Sequence, residues 1–115
     1  MESVNDFSNE IKNNNNIFII KLGAEWCGPC KAIEPLVDKY FKMLIEKKIN
    51  CQQIDVDEAL DIFAFLKRKR VITGIPAILL YKKNNDSHMP DDSVLSGNKD
   101  DVIQFFERTL QLIQN

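Results

Sequence analysis

Short apolar runs alternate along this chain with longer stretches in which apolar residues recur every three or four positions. Ile17–Leu22 is mostly apolar and rich in β-branched residues, which predicts a central strand covered on both faces. Cys51–Val56 and Ala77–Lys82 predict two further strands, and Ser93–Ser96, ended by Gly97, predicts a short edge strand. The apolar runs therefore predict a sheet of about four strands.

The wider spacing predicts helices. Phe7 and Ile11 lie four residues apart and indicate one short helix before the first strand, followed by a solvated turn of asparagines. The apolar positions between Cys30 and Ile45 predict an amphipathic helix of about four turns. Pro35 lies inside this helix and should kink it, because proline removes one backbone hydrogen bond.

Two more helices complete the pattern. Ala59–Leu66 predicts one, with Asp57 and Glu58 as favourable residues at its N-terminus. Asp100–Gln114 predicts the last helix. Its predicted apolar face consists of Val102, Ile103, Phe106, Leu110 and Ile113. We expect an α/β fold with helices on both faces of a mixed sheet. No repeat or linker is visible, so we expect residues 1–115 to form a single domain.

Composition and charge narrow the possible functions. The 115 residues are 44% hydrophobic and 28% charged, which is ordinary for a globular domain. The net charge of −2 gives no indication of a nucleic-acid partner. No signal peptide is visible at the start, and no apolar run approaches the roughly 20 residues that span a bilayer. We therefore expect a cytoplasmic protein that binds neither nucleic acid nor membrane.

Candidate chemistry lies between the first strand and the long helix, in the segment Trp26-Cys27-Gly28-Pro29-Cys30. Two cysteines at this spacing can close a small disulfide ring, act as a dithiol or supply half of a zinc site. Pro29 suits the first turn of a helix, and the positive end of that helix stabilises a thiolate. Cys27 precedes the helix and should be exposed, whereas Cys30 lies inside its first turn and should be shielded.

A zinc site is the main alternative to redox chemistry. Cys27, Cys30, Cys51 and His88 are ligands of the kind that zinc prefers. Cys51 lies alone on a predicted strand, where we expect a small core residue, and His88 lies in a polar loop, where we expect a surface residue. Three cysteines without a secretory signal, with Gly-Pro inside the pair, favour redox chemistry in a reducing compartment. We therefore expect neither a metal nor a cofactor.

The segment from Ala24 to Lys31 resembles the active-site segment of the thioredoxin family. Pro35 falls five residues after Cys30, where thioredoxins carry a helix-kinking proline. Gly74-Ile75-Pro76-Ala77 is similar to the family's cis-proline loop, and the resemblance extends from about Phe7 to the C-terminus. It implies a thioredoxin-like fold and a thiol–disulfide oxidoreductase that reduces protein disulfides through the cysteine pair.

The same resemblance implies roles for individual residues. Cys27 would attack a substrate disulfide, and Cys30 would then resolve the mixed disulfide. The backbone before Pro76 would pair with an extended substrate, as in strand addition. The implied substrate-binding residues are Trp26, Gly28, Pro29, Gly74, Ile75, Pro76 and Gly97. The implied partners are disulfide-bearing proteins and a thioredoxin reductase or similar electron donor, and we expect a monomer that serves electron transport and cell redox homeostasis.

One position departs from the family pattern beside the cysteine pair. Thioredoxins carry a buried aspartate six residues before the first active-site cysteine, and here that position is Lys21. A cation there would tune the pair by stabilising thiolates, and it cannot exchange a proton with Cys30 as a carboxylate does. Two alternatives to a reductase therefore stay open: a more oxidising oxidase or isomerase, and a thioredoxin-fold binding module.

A second departure lies in the run of cations Lys67–Arg70. The spacing from Asp55–Asp57 to Pro76 is about one helical turn longer than in typical thioredoxins, and this run lies in the surplus. It is either a solvated helix end, where positive charge suits the helix dipole, or a docking patch for an acidic partner. The loop Lys83–Asp92 is also longer than the hairpin turn usual in the family.

Overall fold

A computed structural model describes Met1 and residues 3–114, so Glu2 and Asn115 of the predicted 1–115 domain lie outside the described residues. Within that part of the chain, four helices and four strands lie close to their predicted positions. In chain order they are α1 (Val4–Lys12), β1 (Ile17–Gly23), α2 (Gly28–Glu46), β2 (Asn50–Asp55), α3 (Leu60–Arg68), β3 (Ala77–Lys82), β4 (Asp92–Val94) and α4 (Lys99–Gln114). None of these described helices is both long and apolar enough to cross a membrane.

The strands form one mixed sheet, as the sequence predicts, and their order in the sheet is β2-β1-β3-β4. β1 runs parallel to β2 and antiparallel to β3, and β4 pairs antiparallel with β3 at the edge. Gly23 pairs with Asp55 and Leu22 with Ala77, so β1 and β2 finish where β3 begins. We call this the dithiol end of the sheet, because Cys27 follows β1 there, and the opposite one the far end.

Side chains of β1 alternate between the two faces of the sheet, as the pleat of a strand requires. Phe18 and Ile20 belong to a core packed with α1 and α3, whereas Ile17 and Ile19 belong to a core packed with α2 and α4. All of β1 except its last residue is buried, which explains its nearly continuous apolar run. By the same alternation, Lys21 lies on the face that α2 covers.

The buried face of α4 differs from the predicted one. Ile103, predicted in the core, is 37% exposed, whereas Phe105, not predicted there, is fully buried. Phe105 and Phe106 pack edge to face with ring centroids 5.2 Å apart. Because an aromatic ring gains more from burial than a smaller side chain, the helix turns toward Phe105 and away from Ile103.

His88, expected at the surface, instead anchors the loop between β3 and β4. Its ring lies between Phe7 of α1 and Phe65 of α3, at centroid distances of 6.3 and 4.5 Å. Its Nε2 forms a 2.9 Å hydrogen bond with the Ser8 hydroxyl, and its backbone carbonyl accepts the Tyr81 hydroxyl at 2.7 Å. The prediction is wrong because loop composition does not reveal which side chain folds back onto the core.

Candidate active site

β1 carries the chain through the core to the start of α2, where the two cysteines of the predicted pair meet. Cys27 is the N-cap of α2, and Pro29 and Cys30 lie in its first turn. The two cysteines form a disulfide with their Cα atoms 5.3 Å apart. The Cys30 backbone N–H donates to Sγ of Cys27 at 3.2 Å. A donor that would lack a partner at the helix start thus lies against the sulfur, where it stabilises a thiolate.

Neither cysteine is exposed in this disulfide state. Cys27 is 5% exposed and Cys30 is 3% exposed, so the expectation of an exposed Cys27 is wrong. In the disulfide, the Cys27 sulfur lies against the first turn of α2, where it accepts the Cys30 N–H. The surroundings of the two sulfurs still differ. Cys27 lies between the exposed residues Trp26 and Gly28, whereas Cys30 lies over Gly23 of β1.

Trp26 is 67% exposed beside the disulfide, as expected for a contact surface. Its Nε1 donates to Oδ2 of Asp57 at 2.9 Å. The sequence placed Asp57 at the start of α3, but Ala59 is the N-cap of that helix and no side chain caps it. Asp57 was missed because no spacing in the sequence links it to Trp26. The parallel pairing of β1 and β2 brings the two together at the dithiol end.

Lys21 lies beneath the disulfide on the α2 face of β1. It is 5% exposed, which agrees with its place on an apolar strand. A Cβ atom added to Gly23 would lie 3.7 Å from Cε of Lys21 and 3.5 Å from Sγ of Cys30, so both side chains flank one glycine. Lys21 and Cys30 also line a cleft of about 240 Å³ between α2 and the ends of β1 and β2.

Charged side chains near this cleft act on Lys21 in opposite directions. Burial lowers the pKa of Lys21, the positive charge of Lys31 lowers it further, and the carboxylates of Glu34 and Asp38 raise it. Gln53, opposite Lys21 on β2, donates to Oδ1 of Asp38 at 2.8 Å. Lys21 is therefore a buried amine that lies near the Cys30 sulfur and is acted on by the carboxylates of Glu34 and Asp38.

The predicted cis-proline loop lies at the same end of the sheet. The Ile75–Pro76 peptide bond is cis, and Pro76 is buried immediately before β3. The first residue of β3 pairs with Leu22, which places Pro76 beside the end of β1. Ile75 is half-buried against the core of α1 and α3.

The predicted glycines differ in how much space surrounds them. A Cβ atom at Gly97 would lie 2.9 Å from the Cβ of Pro29, so the chain approaches the start of α2 closely there. Gly28 and Gly74 have nothing within 4 Å of such an atom. The structure therefore brings Gly97 against Pro29, while Gly28 and Gly74 border open space.

The residues of the zinc alternative do not meet. Cys51 is half-buried against the core of α2 and α4, where burial raises the pKa of its thiol to about 12. His88 packs against Phe7 on the opposite face of the sheet. Within residues 3–114 and Met1, no three histidine, cysteine or carboxylate side chains are grouped to hold a metal ion.

A disulfide-forming cysteine pair at a helix N-terminus, on a mixed sheet covered on both faces, defines a class of proteins that exchange thiols and disulfides. A model of the Thioredoxin family matches residues 1–108. The chain therefore belongs to the thioredoxin family, and it is a thiol–disulfide oxidoreductase that acts on protein disulfides.

Individual relatives agree with this assignment. The thioredoxin of Mycoplasma pneumoniae is 38% identical over 80 residues, which cover 69% of this chain and 72% of that protein. The thioredoxin of Coprinus comatus is 35% identical over 77 residues, covering 67% and 69%. The solved structure of Plasmodium falciparum thioredoxin superposes with a TM-score of 0.71 at 30% identity, covering 94% of this chain and 95% of that one.

Proposed function

We propose that the protein works in the reducing direction. The Cys27–Cys30 dithiol reduces disulfides of partner proteins, and a thioredoxin reductase or similar electron donor regenerates it. The dithiol chemistry rests most directly on the Cys27 sulfur at the N-cap of α2, where it accepts the Cys30 N–H. A thiolate at the positive end of a helix is stabilised, so Cys27 is the attacking sulfur.

The reaction is a pair of thiol–disulfide exchanges. The Cys27 thiolate attacks one sulfur of the substrate disulfide, and the other substrate sulfur leaves as a thiolate that takes up a proton. Cys30 then loses its proton and attacks the Cys27 sulfur, which breaks the mixed disulfide and releases the second substrate thiolate. The second substrate thiolate also takes up a proton, so two electrons have passed to the substrate. The donor returns two electrons and one proton, which restores the Cys27 thiolate and the Cys30 thiol.

Substrate binding is proposed for the surface at the dithiol end. Trp26 offers exposed aromatic area beside Cys27. The backbone at the cis Ile75–Pro76 bond offers main-chain groups to an extended substrate. The proposed set is Trp26, Gly28, Pro29, Gly74, Ile75, Pro76 and Gly97.

Lys21 is proposed to tune the reduction potential. Its positive charge beside Cys30 stabilises the thiolate of the reduced protein relative to the disulfide, which raises the potential. The same observation favours a second candidate function, a more oxidising oxidase or isomerase. Equilibration with a series of glutathione buffers distinguishes the two. A potential of about −270 mV, typical of thioredoxin, supports the reductase, whereas about −180 mV, typical of protein disulfide isomerase, supports the second candidate.

We further propose that residues 1–115 act as one monomeric domain in the cytoplasm, within electron transport and redox homeostasis. A dithiol in steady use as a reductant suits a reducing compartment. Thiol–disulfide exchange needs no cofactor beyond the two cysteines. The net charge of −2 supports the absence of a nucleic-acid partner.

The cysteine roles are tested by insulin reduction with dithiothreitol as the electron source. Cys27→Ser should abolish activity, and Cys30→Ser should trap a mixed disulfide through Cys27 that mass spectrometry detects. Cys51→Ser is the matched control and should keep full activity, because burial holds the Cys51 thiol protonated. An adduct that forms through Cys30 in the Cys27→Ser variant would reverse the assignment.

A further inference from the structure

The thiol–disulfide chemistry uses none of the cations at the far end of the molecule. Lys67–Arg70 lie at the end of α3, and Lys12 lies at the end of α1 just before β1. We call these five residues the basic surface. All five are exposed, and no carboxylate pairs with any of them in the part of the chain that the structure describes.

His88 links the two helix ends that carry the basic surface, because it contacts both Ser8 of α1 and Phe65 of α3. His88, in the loop that follows β3 at the far end, packs against Phe65 of α3. Burial lowers the pKa of His88, and the positive charges of Lys69 and Lys12 lower it further. Both lysines therefore lie close enough to one imidazole to act on its charge.

Aromatic rings hold the cations of α3 in place. The Lys67 Nζ lies 5.3 Å from the centre of the Phe63 ring. Arg68 and Lys69 both lie over the Phe65 ring, at 5.7 and 5.9 Å from its centre. Cation–π contacts of this kind restrict the side chains while the charged groups stay exposed. A surface ordered in advance loses less conformational entropy when a partner binds.

The turn that ends α3 holds the backbone of Arg70 in a fixed conformation. The Val71 N–H bonds to the Leu66 carbonyl at 2.9 Å and the Arg70 N–H to the Lys67 carbonyl at 3.0 Å, which is a Schellman motif. The motif requires a left-handed residue, usually glycine, and Arg70 occupies that position with φ of 60°. Glycine fits this position better than other residues do, so the charge of Arg70 can be removed without disturbing the turn.

We propose that the basic surface docks an acidic segment of a partner protein and leaves the disulfide pair free at the opposite end. A run of aspartate and glutamate complements five exposed cations, none of which pairs with a carboxylate among the described residues. Nucleic acid is disfavoured because Phe63 and Phe65 are covered by cations and offer no open face for a base.

The test measures binding of a fluorescently labelled oligoglutamate peptide to the full chain by anisotropy at low salt. The Arg68→Gln/Arg70→Gly variant should bind roughly tenfold more weakly than the unchanged protein. Lys39→Gln/Lys42→Gln is the matched control, because it removes the same charge from exposed positions of α2. The control should keep its affinity, and both variants should reduce insulin normally.

Arg70→Gly alone separates docking from folding. Glycine relieves the left-handed strain, so this variant should unfold at a higher temperature while binding the peptide more weakly. Absent binding, or equal losses in the α3 and α2 variants, would overturn the proposal. Tighter binding of single-stranded DNA or of phosphatidylserine vesicles than of the peptide would overturn it as well, in favour of those partners.

Discussion

Among single residues, Lys21 has the strongest expected influence on the chemistry of the pair. Lys21→Met removes a buried positive charge beside Cys30, so it should lower the reduction potential of the pair. We expect a decrease of about 30 mV or more, which corresponds to about 1.4 kcal/mol. Lys21→Asp should lower the potential too and should also speed turnover with a thioredoxin reductase, because a carboxylate can accept the Cys30 proton. Glutathione equilibration and steady-state kinetics measure the two effects.

Lys31→Met is the matched control for the Lys21 variants. Lys31 is exposed and its ammonium lies 2.7 Å from the Glu25 carboxylate. Solvent and this partner screen its charge, so its removal should shift the potential less than removal of Lys21. If the unchanged protein and both Lys21 variants have the same reduction potential and the same rate, the charge of Lys21 does not affect the two sulfurs.

Gly97 and Gly74 make a matched pair for a stability prediction. Gly97→Ala would place a methyl group 2.9 Å from the Cβ of Pro29, so the loop or the start of α2 must shift. We expect a loss of about 1–3 kcal/mol in the free energy of unfolding, as for overpacking elsewhere. Gly74→Ala meets nothing within 4 Å and should leave stability unchanged or slightly higher. Urea unfolding of both variants measures the difference.

The residues that the sequence could not assign are those whose partners come from distant elements. Cys27, Cys30 and Pro76 lie in short motifs whose chemistry is local, so their placement could be predicted. The bond from Trp26 to Asp57 depends on the parallel register of β1 and β2, which no local pattern encodes. Cys27 is buried in the disulfide, which its position before the helix did not indicate.

At the scale of elements, the loop between β3 and β4 should be sensitive to pH. The pKa of His88 is lowered in the folded protein, first by burial and then by Lys69 and Lys12. The unfolded chain therefore binds a proton more readily, and stability falls as pH drops through the ordinary histidine pKa of about 6.5. Above that pH the contribution of His88 to stability is fully present.

His88→Phe should remove this pH dependence while keeping a ring between Phe7 and Phe65. The urea midpoints of the unchanged protein and of the variant are measured from about pH 8 to pH 5. The difference between the two midpoints is then compared across pH, because the contributions of carboxylate titration are common to both proteins and cancel. A constant difference across that range would contradict the role given to His88. Loss of the hydrogen bond to Ser8 lowers the urea midpoint of the variant by the same amount at every pH. It therefore does not make the difference between the two proteins depend on pH.

Elements were easier to predict than the faces they bury. β1, β3 and the long α2 follow from apolar runs and from three-to-four spacing, because burial on both faces or on one stripe produces those patterns directly. The face of α4 was assigned to Ile103, although Phe105 is the buried residue. Spacing allows either residue, and only the space left by α2 selects between them.

For the whole molecule, the stability of the core between α2 and α4 is expected to depend strongly on the packing of these two helices. The Phe106 ring stacks on Tyr40 at 4.6 Å and meets Phe41 edge-on at 6.0 Å. Phe106→Ala should therefore lower the free energy of unfolding by about 3–5 kcal/mol, a large part of the roughly 5–15 kcal/mol that holds a domain together. Denaturant unfolding measures this loss.

Ile103→Ala is the control for Phe106→Ala, because Ile103 lies on the same helix and is 37% exposed. It should change stability by no more than about 0.5 kcal/mol, as exposed substitutions usually do. Equal losses for the two variants would mean that α4 contributes through its backbone and not through its buried rings.

The exposed indole of Trp26 gives the protein an optical property of its own. Trp26 is the single tryptophan of the chain, and it lies next to the disulfide with its ring tied to Asp57. An excited indole is quenched by a neighbouring disulfide, which accepts an electron from it, but much less by a pair of thiols. Reduction should therefore brighten the emission, and a substrate that covers the ring should shift it to shorter wavelength. Electron transfer and docking can thus be followed in real time on the unlabelled chain.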